Sequence, residues 1–195
     1  MPRPPRFDTG LLLDAAVRLA ASGGPAAVTM SAVAQAVGAP SGSVYHRFSG
    51  RPALLAEVWL RTVEGFQDGY LDVLGGDPDL RRAACAAARH VVAWSRAHPQ
   101  EAALLLYGPE EFGRTDWPEE YRERADRGNR RVFARLGEIG EALGAGGAQG
   151  ADRVTLALVD VPLTVIRRHL RAGQPLPPHA EDLAEESAAR LLHIR

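Results

Sequence analysis

The sequence contains no lysine, one cysteine and few aromatic residues. All 23 basic residues among the 195 are arginine, and Phe, Trp and Tyr together make up 6%. The lone Cys85 excludes an intrachain disulfide framework and a cysteine-rich zinc module. No apolar run approaches the ~18–20 residues that a membrane-spanning helix requires, and none of signal-peptide length follows the basic N-terminus. We therefore expect a reduced, cytoplasmic protein with no membrane partner.

Motifs of catalysis and of metal binding are also missing. The six histidines show no tight ligand spacing, which predicts that no metal is bound. No G-x-S-x-G motif is present, and Cys85 lies in an alanine-rich segment typical of a small core residue. The glycines of 144–150 do not read G-x-G-x-x-G. We predict no catalytic residue and no cofactor, hence a protein that is not an enzyme.

Charge is distributed unevenly along the chain. Residues 1–55 hold five arginines and two acidic residues, a balance of +3, whereas the whole chain carries −1. A basic segment on a mildly acidic remainder fits a local polyanion-binding module, although an excess of this size also arises by chance. The balance argues against a protein that coats nucleic acid over its whole surface.

Helical periodicity runs through the chain, and no alternating strand pattern is present. Glycine and proline punctuate the apolar stripes, and residues 144–150 are expected to form a flexible linker. Thr9 and Thr29 are expected as N-caps, and Gly38 as the residue that ends the second helix. The sequence thus predicts an all-α protein of about nine helices, over roughly 9–23, 29–38, 41–48, 51–74, 79–97, 99–107, 119–143, 152–172 and 179–192.

Residues 28–55 carry the most information about function. They predict a helix, a turn of two residues, Ala39 and Pro40, and a second short helix. Four apolar residues can hold the two helices together: Val33, Val37, Val44 and Phe48. The second helix then presents hydroxyls, an imidazole and a guanidinium but no acid, on Ser41, Gly42, Ser43, Tyr45, His46 and Arg47. Such a face suits insertion into the ~12 Å major groove of DNA, with donors for phosphates and base edges.

This segment resembles the TetR family of bacterial transcriptional repressors. The matching pieces are Thr29-x3-Val33-Ala34, Val37-Gly38, Gly42-Ser43-Val44-Tyr45-His46 and Phe48-x-Gly50-Arg51-x3-Leu55. The resemblance implies phosphate contacts from Thr29, Ser43, Tyr45 and Arg47, base-edge contacts from Ser41, Gly42 and His46, and a position near the DNA backbone for Arg51. It also implies a helix-turn-helix DNA-binding domain of three helices over 1–55 and a helical ligand-binding and dimerisation domain over 56–195.

The chain departs from the family pattern at two positions, and several residues allow a simpler interpretation. Pro40 replaces the frequent serine that caps the recognition helix, so we expect this helix to start differently. Ser41 is short where longer polar residues are common, so we expect few direct base contacts and a specificity that rests on DNA shape. Tyr45 could instead be a core aromatic, and His46 an ordinary exposed histidine. Arg3 and Arg6 fit a frayed terminus better than a DNA-binding arm. The arginines of 122–135 alternate with acids at i, i+4 spacing, which favours a solvated helix face.

The second half predicts a homodimer. The segment 152–172 is apolar around most of its circumference, so it should be buried on two sides, one of them against a partner. Pro162 should kink it, and Asp160 within it should meet an arginine or line a cavity. We expect this helix and the last one to form a four-helix bundle with their symmetry mates through Leu158, Val161, Val165, Leu183, Ser187 and Leu191.

Aromatic residues outside 1–55 are candidates for a ligand pocket, because most pockets are lined by apolar and aromatic side chains. For any one of them, an ordinary core position is the simpler interpretation. They predict an apolar or aromatic small molecule, whose identity is unknown, as the ligand. The candidates are Trp59, Phe66, Trp94, Tyr107, Phe112, Trp117 and Phe133.

Together these features predict a cytoplasmic homodimeric regulator that binds double-stranded palindromic operator DNA as a repressor and is released by that ligand. An activator, or a regulator without a ligand, remains an alternative within the class. An all-α enzyme or a dimeric scaffold with a helix-turn-helix-like segment remains an alternative outside it. Salt-dependent, sequence-selective DNA binding separates the regulator from these last two.

Overall fold

The computed structural model describes residues 8–144 and 146–194, and in this part of the chain it contains helices and no strand. The α-helices are α1 (Thr9–Gly23), α2 (Met30–Ala36), α3 (Ser41–Tyr45), α4 (Arg51–Gly75), α5 (Leu80–Ala97), α6 (Pro99–Leu105), α7 (Glu119–Ala142), α8 (Gly147–Thr155), α9 (Val161–Arg171) and α10 (Ala180–Leu191). A π-helical segment, Leu156–Asp160, joins α8 to α9 without a break. Counted this way, the described residues form nine helices, and the all-α prediction is confirmed.

Several predicted helix ends were wrong. The N-cap of α1 is Asp8 rather than Thr9, because the Asp8 carboxylate accepts the Leu11 N–H at 2.7 Å. The third helix stops at Tyr45, three residues before the predicted end. The predicted linker 144–150 is helical from Gly147 onwards, and its glycine turn is confined to the residues before that point. Arg3 and Arg6 lie outside the described residues.

The chain divides into two compact units. The N-terminal unit holds the described residues up to Val63 together with Gln100–Asp126, and the C-terminal unit holds Glu64–Pro99 together with the described residues from Arg127 onwards. This division follows packing within the chain. The functional boundary after residue 55 is a different division, and it stays a prediction.

The N-terminal unit has one apolar core built on helices α1 to α4. Leu12, Val33 and Leu54 are fully buried there, and Phe112 and Trp117 from the loop after α6 complete it. The loop is held in place because the Trp117 indole N–H donates to the Phe112 carbonyl at 2.9 Å. Burying rings of this size contributes more per residue than any other contact in such a core.

In the C-terminal unit, α5 packs closely against α10 through small side chains. Alanines of α5 and the alanines of α10 are buried, and without larger side chains the two backbones can approach each other. On one edge of this contact Arg89 and Arg96 reach acids of α10, Arg96 meeting Glu181 at 2.9 Å. These ion pairs are partly exposed, so they orient α10 more than they stabilise it.

None of the helices in the described residues is long and apolar enough to cross a bilayer.

Candidate functional site

The helix α2 has a strong cap at each end. The Thr29 hydroxyl oxygen accepts the Ala32 N–H at 3.1 Å, as an N-cap should. At the other end Gly38 has φ +66°, its N–H reaches the Gln35 carbonyl at 3.1 Å, and the Ala39 N–H reaches the Ala34 carbonyl at 2.9 Å. This pair of bonds is a Schellman motif, which requires a left-handed residue and explains the glycine. The turn into α3 is therefore defined by local hydrogen bonds.

The short helix α3 is anchored by two apolar residues. Val44 is fully buried and Phe48, just beyond the helix, is 4% exposed, both in the core of the N-terminal unit. No side chain caps the helix at Pro40, as the departure from the family pattern predicted. A helix of five residues has almost no stability of its own, so these two anchors determine its position.

The opposite side of α3 faces outwards. Tyr45 is 62% exposed, which excludes the core alternative for this ring. Of the other residues predicted to face DNA, Ser43 is half-buried, and Ser41, Gly42, His46 and Arg47 are exposed. The Arg47 guanidinium also lies 3.4 Å from the Thr9 hydroxyl, next to the start of α1.

Two of the predicted DNA contacts have structural partners. The Thr29 hydroxyl caps α2, as described. The Arg51 guanidinium donates from Nε to the Val28 carbonyl at 2.8 Å and from Nη2 to the Pro25 carbonyl at 2.9 Å. Arg51 thus ties the start of α4 to the segment that precedes α2, a role that the sequence did not reveal.

The part of the chain that contains α3 has no acidic residue over a long stretch. No Asp or Glu lies between Asp14 and Glu57. The two acids that bound this stretch are paired within the unit, Asp14 with Arg61 at 2.5 Å and Glu57 with Arg124 at 2.9 Å. An exposed helix with hydroxyls and cations and no nearby carboxylate on its own segment is suited to a polyanion.

Residues 12–58 match the family model described as bacterial regulatory proteins of the tetR family. This part of the chain, about a quarter of it, is therefore similar to the DNA-binding domain of that family. The match spans α2 and α3 and all of the residues predicted to face DNA. No curated protein is similar enough in sequence to match the chain.

Solved structures of TetR-family and other transcriptional regulators share the fold. The regulator FadR from Bacillus subtilis, solved with stearoyl-CoA, has a TM-score of 0.73 at 13% identity, over 95% of this chain and 98% of its own. PfmR from Thermus thermophilus has a TM-score of 0.68 at 19% identity, over 95% and 96%. A transcriptional regulator from Rhodococcus has a TM-score of 0.73 at 21% identity, over 96% and 97%. The described residues therefore have a TetR-like fold, shared with these structures over 95–96% of the chain.

The seven aromatic residues proposed for the ligand do not form one group in this TetR-like fold. Trp59, Phe112 and Trp117 belong to the core of the N-terminal unit, where the Trp59 and Trp117 rings lie 5.6 Å apart, and the partly buried Tyr107 packs against this core. In the C-terminal unit, Phe66 and Trp94 meet edge to face at 5.3 Å. Phe133 is 57% exposed on α7.

Three further rings surround Phe66 and Trp94, and none of them was among the predicted ligand residues. Tyr70 stacks on Phe66 at 5.6 Å, His98 stacks on Trp94 at 4.7 Å, and His90 lies 6.3 Å from Phe66. The signal was available, because residues 66 and 70 on α4, and residues 90 and 94 on α5 with residue 98 at its C-terminal cap, follow the i, i+4 spacing of one helix face. We call these five residues the aromatic cluster.

His90 is the polar member of the cluster that lacks a partner. The Nε2 atom of His90 is buried without a hydrogen bond. The ring packs so close to Gly69 that a Cβ atom at residue 69 would lie only 3.2 Å from this Nε2 atom. Burial, and to a smaller extent the charge of His98, lower the pKa of His90. The cluster is thus an apolar, aromatic site that contains one neutral imidazole.

The predicted dimer residues lie on the outer parts of the last helices, with one exception. Leu183 is 45% exposed, and Val161, Val165, Ser187 and Leu191 are half-buried. Leu158 is fully buried within its own chain, so the proposed interface rests on the other five. Asp160, expected to be paired or to line a cavity, is exposed in the single chain.

We also searched the described residues for a metal site and for a reactive cysteine. Among residues 8–144 and 146–194 no three His, Cys, Asp or Glu side chains are grouped to hold a metal ion. Cys85 is buried, and burial raises the pKa of its thiol, which makes it a poor nucleophile.

Proposed function

We propose that this protein is a sequence-specific transcriptional repressor that binds a palindromic operator as a homodimer and is released by a small apolar or aromatic ligand. The observation that carries the proposal is α3, whose buried side is fixed by Val44 and Phe48 and whose exposed side carries Tyr45 on an acid-free segment. The TetR-family domain over residues 12–58 supports the same assignment.

Tyr45, Ser43 and Arg47 are the residues that we assign to DNA phosphates, and Ser41, Gly42 and His46 those that we assign to base edges. Because Ser41 and Gly42 have short or no side chains, few direct contacts to base edges are available to α3. We therefore expect much of the specificity to come from the shape and deformability of the operator. Thr29 and Arg51 act chiefly by holding α2 and α4 in position.

The homodimer would form through the outer parts of the last helices. Leu183 is a large apolar residue whose side chain is nearly half exposed. Ser187, four residues later on the same helix, has a small side chain that allows a partner helix to approach closely. A two-fold dimer would present two copies of α3 to half-sites about 34–36 Å apart, one turn of DNA.

The ligand would bind at the aromatic cluster of the C-terminal unit, where Phe66 and Trp94 supply apolar contacts and His90 offers a buried nitrogen. The structure of FadR with stearoyl-CoA, a ligand with a long apolar chain, is compatible with such a site in this fold. Release follows only if the ligand prefers one arrangement of the dimer over the other.

The test is selection of bound duplexes from a random DNA library at near-physiological salt, with variants of two exposed aromatic residues. Tyr45→Ala removes the ring on α3, and Phe133→Ala removes a ring of similar exposure on α7. We expect the wild type and Phe133→Ala to enrich the same palindrome. Tyr45→Ala should bind it roughly tenfold or more weakly, since a hydrogen bond to a charged group contributes about 1.5–3 kcal/mol.

Enrichment of no site by any of the three proteins would refute the regulator proposal and favour the enzyme or the scaffold. Enrichment of the same site with equal affinity by all three would refute the assignment of α3. Addition of candidate apolar ligands to the selected complex then tests release.

A further inference from the structure

The helix that runs from α8 through α9 changes its winding in the middle. Before the π-helical segment the buried residues include Gly150 and Val154, and after it they are Pro162 and Ile166. On an uninterrupted α-helix, with about 100° per residue, these two sets would lie on sides that differ by about 120°. A π-helical turn accommodates one additional residue, which removes about 100° of this difference and brings both sets to nearly the same side.

The hydrogen bonds agree with this winding. The N–H of Val161 donates to the Leu156 carbonyl, five residues back rather than four. The Leu158 carbonyl would normally accept from the N–H four residues later, but that residue is Pro162, which has none. Leu158 is fully buried, so its carbonyl has no access to water in place of that donor.

The donor to this carbonyl comes from another helix. The Tyr70 hydroxyl on α4 donates to the Leu158 carbonyl at 3.0 Å, and Tyr70 is 1% exposed. Burial raises the pKa of Tyr70 far above neutrality, so the hydroxyl keeps its proton under all ordinary conditions. The Tyr70 ring stacks on Phe66 at 5.6 Å within the aromatic cluster, and its hydroxyl is directed at the π-helical segment that precedes α9.

The geometry points to Tyr70 as the residue that fixes the rotational phase of α9, by donating to the carbonyl whose α-helical donor position, four residues later, is occupied by Pro162. This phase decides which side of α9 faces outwards, including the half-buried Val161 and Val165. Tyr70 is thus a positioning residue for self-association, although it lies in the core and touches no partner. The part that concerns self-association rests on the proposed homodimer, whereas the part that concerns the phase of α9 does not.

The first test is a double-mutant cycle on the stability of the full-length protein. Tyr70→Phe removes only the hydroxyl, and it should raise the unfolding equilibrium constant about tenfold or more because a buried carbonyl loses its donor. Pro162→Ala supplies a backbone N–H four residues after Leu158. In the Pro162→Ala variant, Tyr70→Phe should raise the unfolding equilibrium constant by no more than about twofold, because the Leu158 carbonyl then has a second donor. Equal costs in the two backgrounds would overturn the proposal.

The second test measures self-association against a control variant that loses stability without a change in the winding of α9. Ile139→Val removes one methyl group from a fully buried site of the same unit and leaves Tyr70 and Pro162 unchanged. We expect Pro162→Ala to weaken self-association in sedimentation at least tenfold while its stability is retained, because α9 can then return to α-helical winding. Ile139→Val should lose stability and keep its self-association. A dimer unaffected by Pro162→Ala would overturn the role of the phase in self-association.

Amide hydrogen exchange separates this inference from the proposed function. Tyr70→Phe should accelerate exchange in the peptide over 156–171 and leave the peptide over 9–23 unchanged, whether or not the protein dimerises. If the wild type is a monomer, the homodimer and the role of Tyr70 in self-association are refuted. If the double-mutant cycle and the hydrogen exchange nevertheless give the expected results, Tyr70 is still the residue that sets the winding of α9. Unchanged exchange over 156–171 would overturn the inference itself.

Discussion

The role of Arg51 can be decided by a substitution that keeps its charge. The resemblance to the TetR family implied that Arg51 lies near the DNA backbone, whereas its guanidinium donates to the Val28 and Pro25 carbonyls at 2.8 and 2.9 Å. Arg51→Lys retains the positive charge but lacks the planar fork that serves two acceptors at once. If Arg51 holds the start of α4 to the segment before α2, lysine should not replace it.

The expected magnitude follows from the two bonds. A hydrogen bond from a charged donor contributes about 1.5–3 kcal/mol when it is buried, and both of these are at least partly exposed. We therefore expect Arg51→Lys and Arg51→Gln each to lower the free energy of unfolding by about 1–2 kcal/mol. Operator affinity should fall in parallel, and the dependence of binding on salt should stay the same, because no phosphate contact is lost.

The assay combines urea-induced unfolding at one protein concentration with fluorescence anisotropy on the selected duplex at several salt concentrations. Arg18→Gln is the control, because it removes one charge from an exposed site on α1 in the same unit. A protein with Arg51→Lys that is as stable as the wild type would refute the structural role. The structural role would also be refuted if Arg51→Gln, but not Arg18→Gln, reduced the slope of log affinity against log salt by about one, because that change indicates a lost phosphate contact.

Three further predictions concern single positions. Burial lowers the pKa of His90, so protonation of this imidazole favours the unfolded state, and the free energy of unfolding should fall as the pH drops below about 6.5. In urea unfolding between pH 7 and 5, the free energy of unfolding should decline less steeply for His90→Asn than for the wild type. Leu183→Glu should abolish the dimer in sedimentation at micromolar protein, whereas Leu11→Glu, at an exposed leucine of the other unit, should not. Gly38→Ala should cost about 1–2 kcal/mol in thermal unfolding because φ is +66°, whereas Gly42→Ala, with equally open surroundings but in a helix, should cost nothing; equal effects of the two would contradict this reasoning.

Much of the DNA-binding segment could be predicted because its signals are local. A hydroxyl at Thr29 and a glycine at Gly38 mark the two ends of α2 through hydrogen bonds that span three to five residues. The spacing of Val33, Val44 and Phe48 similarly indicated which side of each helix would be buried, and all three are in the core. The end of α3 was also missed. The partners of Arg51 were missed because they lie 23 and 26 residues away in the chain.

The aromatic residues show where a list from sequence fails. Composition and position identified Trp59 and Phe66 equally as ligand candidates, yet one lies in the core of the N-terminal unit and the other in the aromatic cluster. Periodicity could have added His90 and Tyr70, because both continue a helix face that was already noted. No local pattern distinguishes a ring that fills a core from one that lines a site.

For this protein, the amino-acid sequence alone determined the helical class, the helix-turn-helix segment and the acid-free exposed side of α3. These features depend on neighbours within one or two helical turns, where residue type and spacing act directly on the backbone. The tertiary structure alone decided that Arg51 binds carbonyls, that Leu158 is buried, and that Tyr70 supplies the donor that Pro162 removes. Those facts depend on which distant helix lies opposite, and packing selects that partner only when the whole chain has folded.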